Sequence, residues 1–184
     1  LNQTWDFKEG DQNGTKLIKG SWSYVKNSGG MQIQPDKSVV LRLPIKPGER
    51  NFVIELDLGI VVGAPQGFSL SSVISREEIV PVFKTISPKF LTINQPTSYK
   101  GKVYFYNNYI FSEIGGSFLF ISKMEQRSSD YDVSLILKSF LVKKIKVTEM
   151  QTIESKLQKS ITELDESKMP SYPSYSFDQL SMEN

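Results

Sequence analysis

Apolar residues fall at every second position through much of the first 147 residues. In 51–58, Phe52, Ile54, Leu56 and Leu58 alternate with Val53, Glu55 and Asp57; in 38–43, Val39, Leu41 and Leu43 alternate with Val40 and Arg42. Side chains along a strand point to opposite faces in turn, so this period predicts strands with one buried face and one wetter face. The pattern, with enrichment in Val, Ile, Phe, Tyr and Thr, predicts strands at Thr4–Lys8, Thr15–Val25, Met31–Gln34, Ser38–Leu43, Phe52–Val62, Phe68–Ile74, Val80–Ile86, Phe90–Asn94, Lys102–Tyr106, Tyr109–Ile114, Phe118–Lys123 and Asp132–Val147. Short strands separated by frequent turn signals predict an all-β fold, a two-sheet antiparallel jelly-roll sandwich.

The turns carry their own signals. Lys46-Pro47-Gly48-Glu49 has Pro second and Gly third, as a type II turn requires. Tyr106-Asn107-Asn108-Tyr109 joins two strand-like runs through two Asn, which tolerate positive φ, so a two-residue hairpin is expected there. Gly29-Gly30 and Gly115-Gly116 mark further reversals.

After Val147 the period changes. Met150, Ile153, Leu157, Ile161 and Leu164 follow one another at spacings of 3, 4, 4 and 3, one face of a helix. Thr148 with Gln151 reads as a capping box, so the helix is expected from Glu149 to Glu166. Its apolar stripe predicts docking on the sandwich or on a partner. Residues 169–184 are a Ser/Pro/Tyr-rich tail with Tyr172, Tyr175 and Phe177. The division expected is 1–148 for the sandwich and 149–184 for the helix and tail.

Three places resemble the concanavalin A-like lectin/glucanase superfamily, and within it laminin-G-like domains. The opening Thr4-Trp5-Asp6-Phe7, then Gly20-Ser21-Trp22, then Gly29-Gly30-Met31-Gln32-Ile33 is similar to the family's first strands. The hairpin Gly101 to Ile110 resembles its aromatic "Y-v-N-G" hairpin, with Asn108 where Gly is usual. The stretch Phe140–Met150 resembles its closing strand. The resemblance implies a fold that hosts binding modules, hydrolases and inert spacers alike.

Composition narrows the chemistry. The 184 residues contain no Cys and no His. Thiol nucleophiles, Cys-ligated metals, imidazole bases and His-dependent triads are therefore excluded. Net charge is +2, but residues 1–147 hold 19 Lys/Arg against 13 Asp/Glu, and 148–184 hold 3 against 7. An acidic end can fold back on a mildly basic body. No run of roughly 20 apolar residues is present to span a bilayer. A start at Leu1 rather than Met fits a chain trimmed of a leader, and an extracytoplasmic location is expected.

The candidate ligand-binding residues are Tyr104, Tyr106, Asn107, Asn108 and Tyr109, clustered at one hairpin. Alternation puts Tyr104 and Tyr106 on one face and Phe105 on the other. Exposed, the pair is a platform; facing inward, it is core. Trp5 and Trp22 read as core. Glu55 and Asp57 share a strand face, as hydrolases of this fold require, but no third acid follows them. Asp6, Glu9 and Asp11, with Asp130 and Asp132, are the acid-dense loops in which a structural calcium could sit; no other cofactor is expected. Lys143-Lys144-x-Lys146 lies on a strand, so its charges should split between faces, and no nucleic-acid partner is expected. The expectation is a non-catalytic module binding carbohydrate or another cell-envelope component. The alternatives are a carboxylate-dependent glycoside hydrolase and the interaction domain of a membrane-anchored regulator.

Overall fold

A computed structural model describes residues 2–10, 14–34, 37–46, 48, 50–60, 69–74, 80–81, 98–107, 109–114, 117–123, 132–150, 155–163 and 174–175. Its elements in chain order are β1 (Asn2–Asp6), a 3-10 turn (Phe7–Glu9), β2 (Lys16–Lys19), β3 (Ser23–Val25), β4 (Gly30–Gln32), β5 (Ser38–Arg42), β6 (Phe52–Ile60), β7 (Ser69–Ile74), β8 (Val80–Pro81), β9 (Ser98–Tyr106), β10 (Tyr109–Ile114), β11 (Ser117–Lys123), β12 (Val133–Lys138), β13 (Phe140–Glu149), α1 (Ser155–Glu163) and β14 (Ser174–Tyr175).

Among the described residues the strands form two main sheets. The larger has eight strands in the order β11-β10-β9-β6-β13-β4-β3, with β1 beside β4 on the free edge of β13; the smaller is β2-β5-β12-β7. Every pairing is antiparallel. Inward side chains of both sheets meet in one core: Phe52, Ile54, Leu56, Leu58, Val103, Phe105, Ile145 and Val147 from the larger, Val39, Leu41, Val133, Leu135 and Leu137 from the smaller. The expected sandwich is therefore present. Trp5 is buried in this core, and Trp22 packs against it with its ring edge on Phe7, centroids 5.3 Å apart.

Two expected strands are each divided in two. Thr15–Val25 becomes β2 and β3, which lie in different sheets; Gly20 sits between them at φ 79, which no β-strand accommodates. Asp132–Val147 becomes β12 and β13, which cross from the smaller sheet to the larger through Ser139 at φ 64. In the expected turn at Lys46-Pro47-Gly48-Glu49, Gly48 has φ 61, while Pro47 and Glu49 lie outside the described residues. The expected strand Phe90–Asn94 lies outside the described residues.

The expected helix start is also corrected. Thr148 and Glu149 belong to β13, where Thr148 pairs with Val53 on one side and Asn2 on the other. Glu149, the first helical residue that such a cap would serve, is itself in the strand, so Thr148 caps no helix there. The described helix begins at Ser155.

Candidate functional site

The outer face of the larger sheet is built by alternation and register. On β6, Phe52 to Leu58 point inward at even positions, so Val53, Glu55 and Asp57 point outward. Antiparallel pairs share a face, which extends these three positions across the neighbouring strands. Val53 lies between Tyr104 of β9 and Thr148 of β13; Glu55 between Lys102 and Lys146; Asp57 between Lys100 and Lys144. Beyond β13, β1 adds Asn2, Thr4 and Asp6 to these rows, and beyond β9, β10 adds Phe111 opposite Tyr104 and Glu113 opposite Lys102.

The lysines of β13 share that face because of a bulge. The β13–β6 register shifts between Val142 and Lys144, which makes Lys143 an extra residue. Phe140 and Val142 before it, and Ile145 and Val147 after it, all reach the core. In an unbulged strand Ile145 and Val147 would face outward. The expectation that this run's charges divide between faces is thus refined: Lys144 and Lys146 stand together, outward.

Two rows of alternating sign result. Lys100 Nζ is in direct contact with Asp57 Oδ1, and Lys102 Nζ lies 3.9 Å from Glu55 Oε1. Both candidate catalytic carboxylates are therefore flanked by lysines on the two neighbouring strands. Exposed pairs of this kind are worth roughly 0.2–1 kcal/mol each. Asp57→Asn should accordingly change the unfolding free energy by less than about 1 kcal/mol. A chemical denaturation curve checks this, and a larger loss would show that the rows brace the sheet.

The other half of the face is aromatic. Tyr106 pairs directly with Tyr109, the register that the expected hairpin requires, and Asn107 has φ 50. Asn51 Oδ1 accepts the Asn107 N–H at 2.8 Å and ties the turn to β6. Tyr104 and Tyr106 share the outer face, as alternation requires. Tyr104, however, is fully buried there with Phe111 and Leu157 of α1, while Val53, Tyr106, Tyr109 and Met150 pack around the cluster half-buried. The Tyr109 and Phe111 rings stand 6.2 Å apart. The Tyr104 hydroxyl donates to Glu113 Oε1 at 3.3 Å, and Glu113 is buried too, so aromatic and charged halves meet at this bond. Asn108 lies outside the described residues.

The sequence pattern did not single out Phe111 or Glu113, and it marked Leu157 only as part of an apolar helical stripe, not as a neighbour of Tyr104. A signal for the first two was available: a two-residue turn fixing Tyr106 opposite Tyr109 also fixes Tyr104 opposite Phe111 and Lys102 opposite Glu113.

In the acid-dense loops, Asp6 caps the 3-10 turn by accepting the Lys8 N–H at 3.0 Å, and Asp132 pairs with Lys46 at 3.2 Å. Asp11, Asp130 and the Glu9 side chain lie outside the described residues. Among the described residues no three acidic side chains gather where they could hold a cation.

No protein-family model matches the sequence, and no curated protein matches it. Solved structures do match in shape. The metal-free VIP36 exoplasmic/lumenal domain superposes with a TM-score of 0.50 at 7% identity, over 83% of this chain and 95% of that domain. The Ca2+/Man2-bound form of the same domain gives 0.49 at 8%, over 91% and 94%. The carbohydrate-binding module CBM66 from Bacillus subtilis gives 0.47 at 14%, over 75% and 96%. Identities this low speak to fold alone. The likeness to the VIP36 domain is one of fold, a sandwich of two antiparallel β-sheets.

Proposed function

We propose that this chain is a non-catalytic, laminin-G-like module that binds carbohydrate of the cell envelope or exterior on the outer face of its larger sheet. One observation carries the reading: Tyr106, Asn107 and Tyr109 sit beside rows that alternate Lys with Glu and Asp. Aromatic rings offer a flat apolar surface to a sugar ring, and adjoining amides, carboxylates and ammonium groups bond its hydroxyls. The similarity to an exoplasmic/lumenal domain supports a location outside the cytoplasm. No described helix is long and apolar enough to cross a membrane. Hydrolysis is the weaker reading, because Glu55 and Asp57 are engaged by lysines.

The experiment is binding to arrayed oligosaccharides, with Tyr106→Ala and Tyr109→Ala as variants. Each truncation should weaken a bound glycan by about 10-fold or more, the scale of an aromatic anchor. Folding is checked in parallel by far-UV circular dichroism. Unaltered affinity in both folded variants would place the ligand elsewhere. The second reading, a protein-interaction domain, is favoured by the seat of α1, which shows that the aromatic half accepts an apolar helix face. An array without any bound glycan would favour it.

A further inference from the structure

The outer face is open over its charged rows and covered over its aromatic rows, and the cover is part of the same chain. Leu157 of α1 is fully buried on Tyr104 and Phe111, while Ser155, Gln158 and Thr162 of the same helix are exposed. Beneath this anchor lie two aromatic rings, and the Tyr104 hydroxyl donates to a neighbouring buried carboxylate, Glu113. A buried carboxylate is unfavourable compared with one in water. Beside the two rings it is a ready hydroxyl acceptor. It also continues directly into the open row of Lys102 and Glu55.

The geometry points to α1 as a tethered lid: Tyr104, Phe111 and Glu113 form a glycan subsite that Leu157 occupies and that opens when the helix lifts. This rests on the carbohydrate reading and adds its regulation. Nine of its residues are described, and an isolated helix of even about 12–15 residues is only marginally stable in water. Its order therefore depends on docking, and a ligand that takes Leu157's place releases it. Because lid and ligand compete for the same rings, apparent affinity is lowered by the fraction of molecules that are open. The ligand class is a neutral oligosaccharide, since this part of the face presents rings and a hydroxyl acceptor.

The test uses the full chain, wild type and Leu157→Asp, with arrayed mannans, β-glucans and chitin fragments as probes. Hydrogen exchange of the 155–163 amides is the second readout. In Leu157→Asp, α1 should exchange at least about 10-fold faster while the strands stay protected, and glycan affinity should rise by a similar factor. In the wild type the best-binding glycan should itself accelerate α1 exchange. Faster α1 exchange with unchanged affinity, in a chain that does bind glycan, overturns the lid and leaves the carbohydrate reading intact. No glycan bound by either form overturns that reading and the lid with it. Should the variant lose its strand signal in circular dichroism, wild-type exchange decides alone: α1 unaltered or slowed by bound glycan overturns the lid.

Discussion

Phe105→Ala should lower the unfolding free energy by about 3–5 kcal/mol, the range for deleting a buried aromatic ring. Phe105 on β9 lies directly opposite Phe52 on β6, and the two rings stack with centroids 4.6 Å apart and planes 11° from parallel. Both are fully buried. Truncation therefore removes one ring from the core and strands its partner beside a cavity, with the pair's own attraction, about 0.5–1.5 kcal/mol, included in the loss. For a chain of this size that corresponds to a drop in melting temperature on the order of 10 °C. The adjacent Tyr106→Ala is the contrast. Tyr106 points outward and is half-buried, so it should melt closer to wild type. Differential scanning calorimetry of the two variants checks the difference. A loss below about 1 kcal/mol for Phe105→Ala would mean that the core closes over the gap, contrary to the close packing of protein interiors.

That contrast between neighbouring residues was only half legible in the sequence. Alternation alone set Tyr104 and Tyr106 on one face and Phe105 on the other and left open which of the two is core, whereas all four even apolar positions of 52–58 are buried as the pattern requires. The hairpin was legible too, because two Asn between aromatic runs leave few other turns. What failed to show were the interruptions. Strand-like composition runs on through Ser139, a residue with no turn signal, yet the backbone there adopts φ 64 and changes sheets. The bulge at Lys143 is equally silent, since charged residues on a strand fit either face until the pairing partner is known. Thr148 was misread for a related reason. A capping box is a local pattern, whereas β6 and β1 bond β13 from both sides at that residue, and pairing prevailed over local preference.

The candidate site was legible to the same depth. The residues that share its face follow from strand period, but the cover on Tyr104 comes from Leu157, far along the chain. The helical spacing around Leu157 announces an apolar stripe and says nothing about where it lands. Lys100 and Lys102 carry no motif either. Their role emerges only from register, which sets them across from Asp57 and Glu55.

Gly30→Ala should be a damaging single-methyl change, lowering stability by about 2–3 kcal/mol. Gly30 is buried in β4, and a Cβ there would stand 2.6 Å from the Val142 carbonyl oxygen, 3.1 Å from its carbonyl carbon and 3.3 Å from Leu141 Cγ. The first two are backbone atoms of β13, the strand that β6 holds from the other side at Leu58 and Gly59. β13 cannot retreat without breaking that ladder, so β4 must move instead. It carries Met31, a core residue, and it pairs with β3. The strain should therefore loosen the β3–β4 corner first and leave the outer face between β9 and β13 in place. Gly29→Ala separates the two possible causes. Gly29 sits at φ +67, where a side chain is strained, yet its Cβ would come no closer than 3.7 Å to Lys8 Cγ. It should cost about 1–2 kcal/mol, from backbone strain alone. Urea unfolding of both variants, with amide exchange at 23–32, checks the order and the location. Equal losses, or a Gly30→Ala chain as stable as wild type, would show that β4 does not press on β13 as closely as its register and the 2.6 Å approach require.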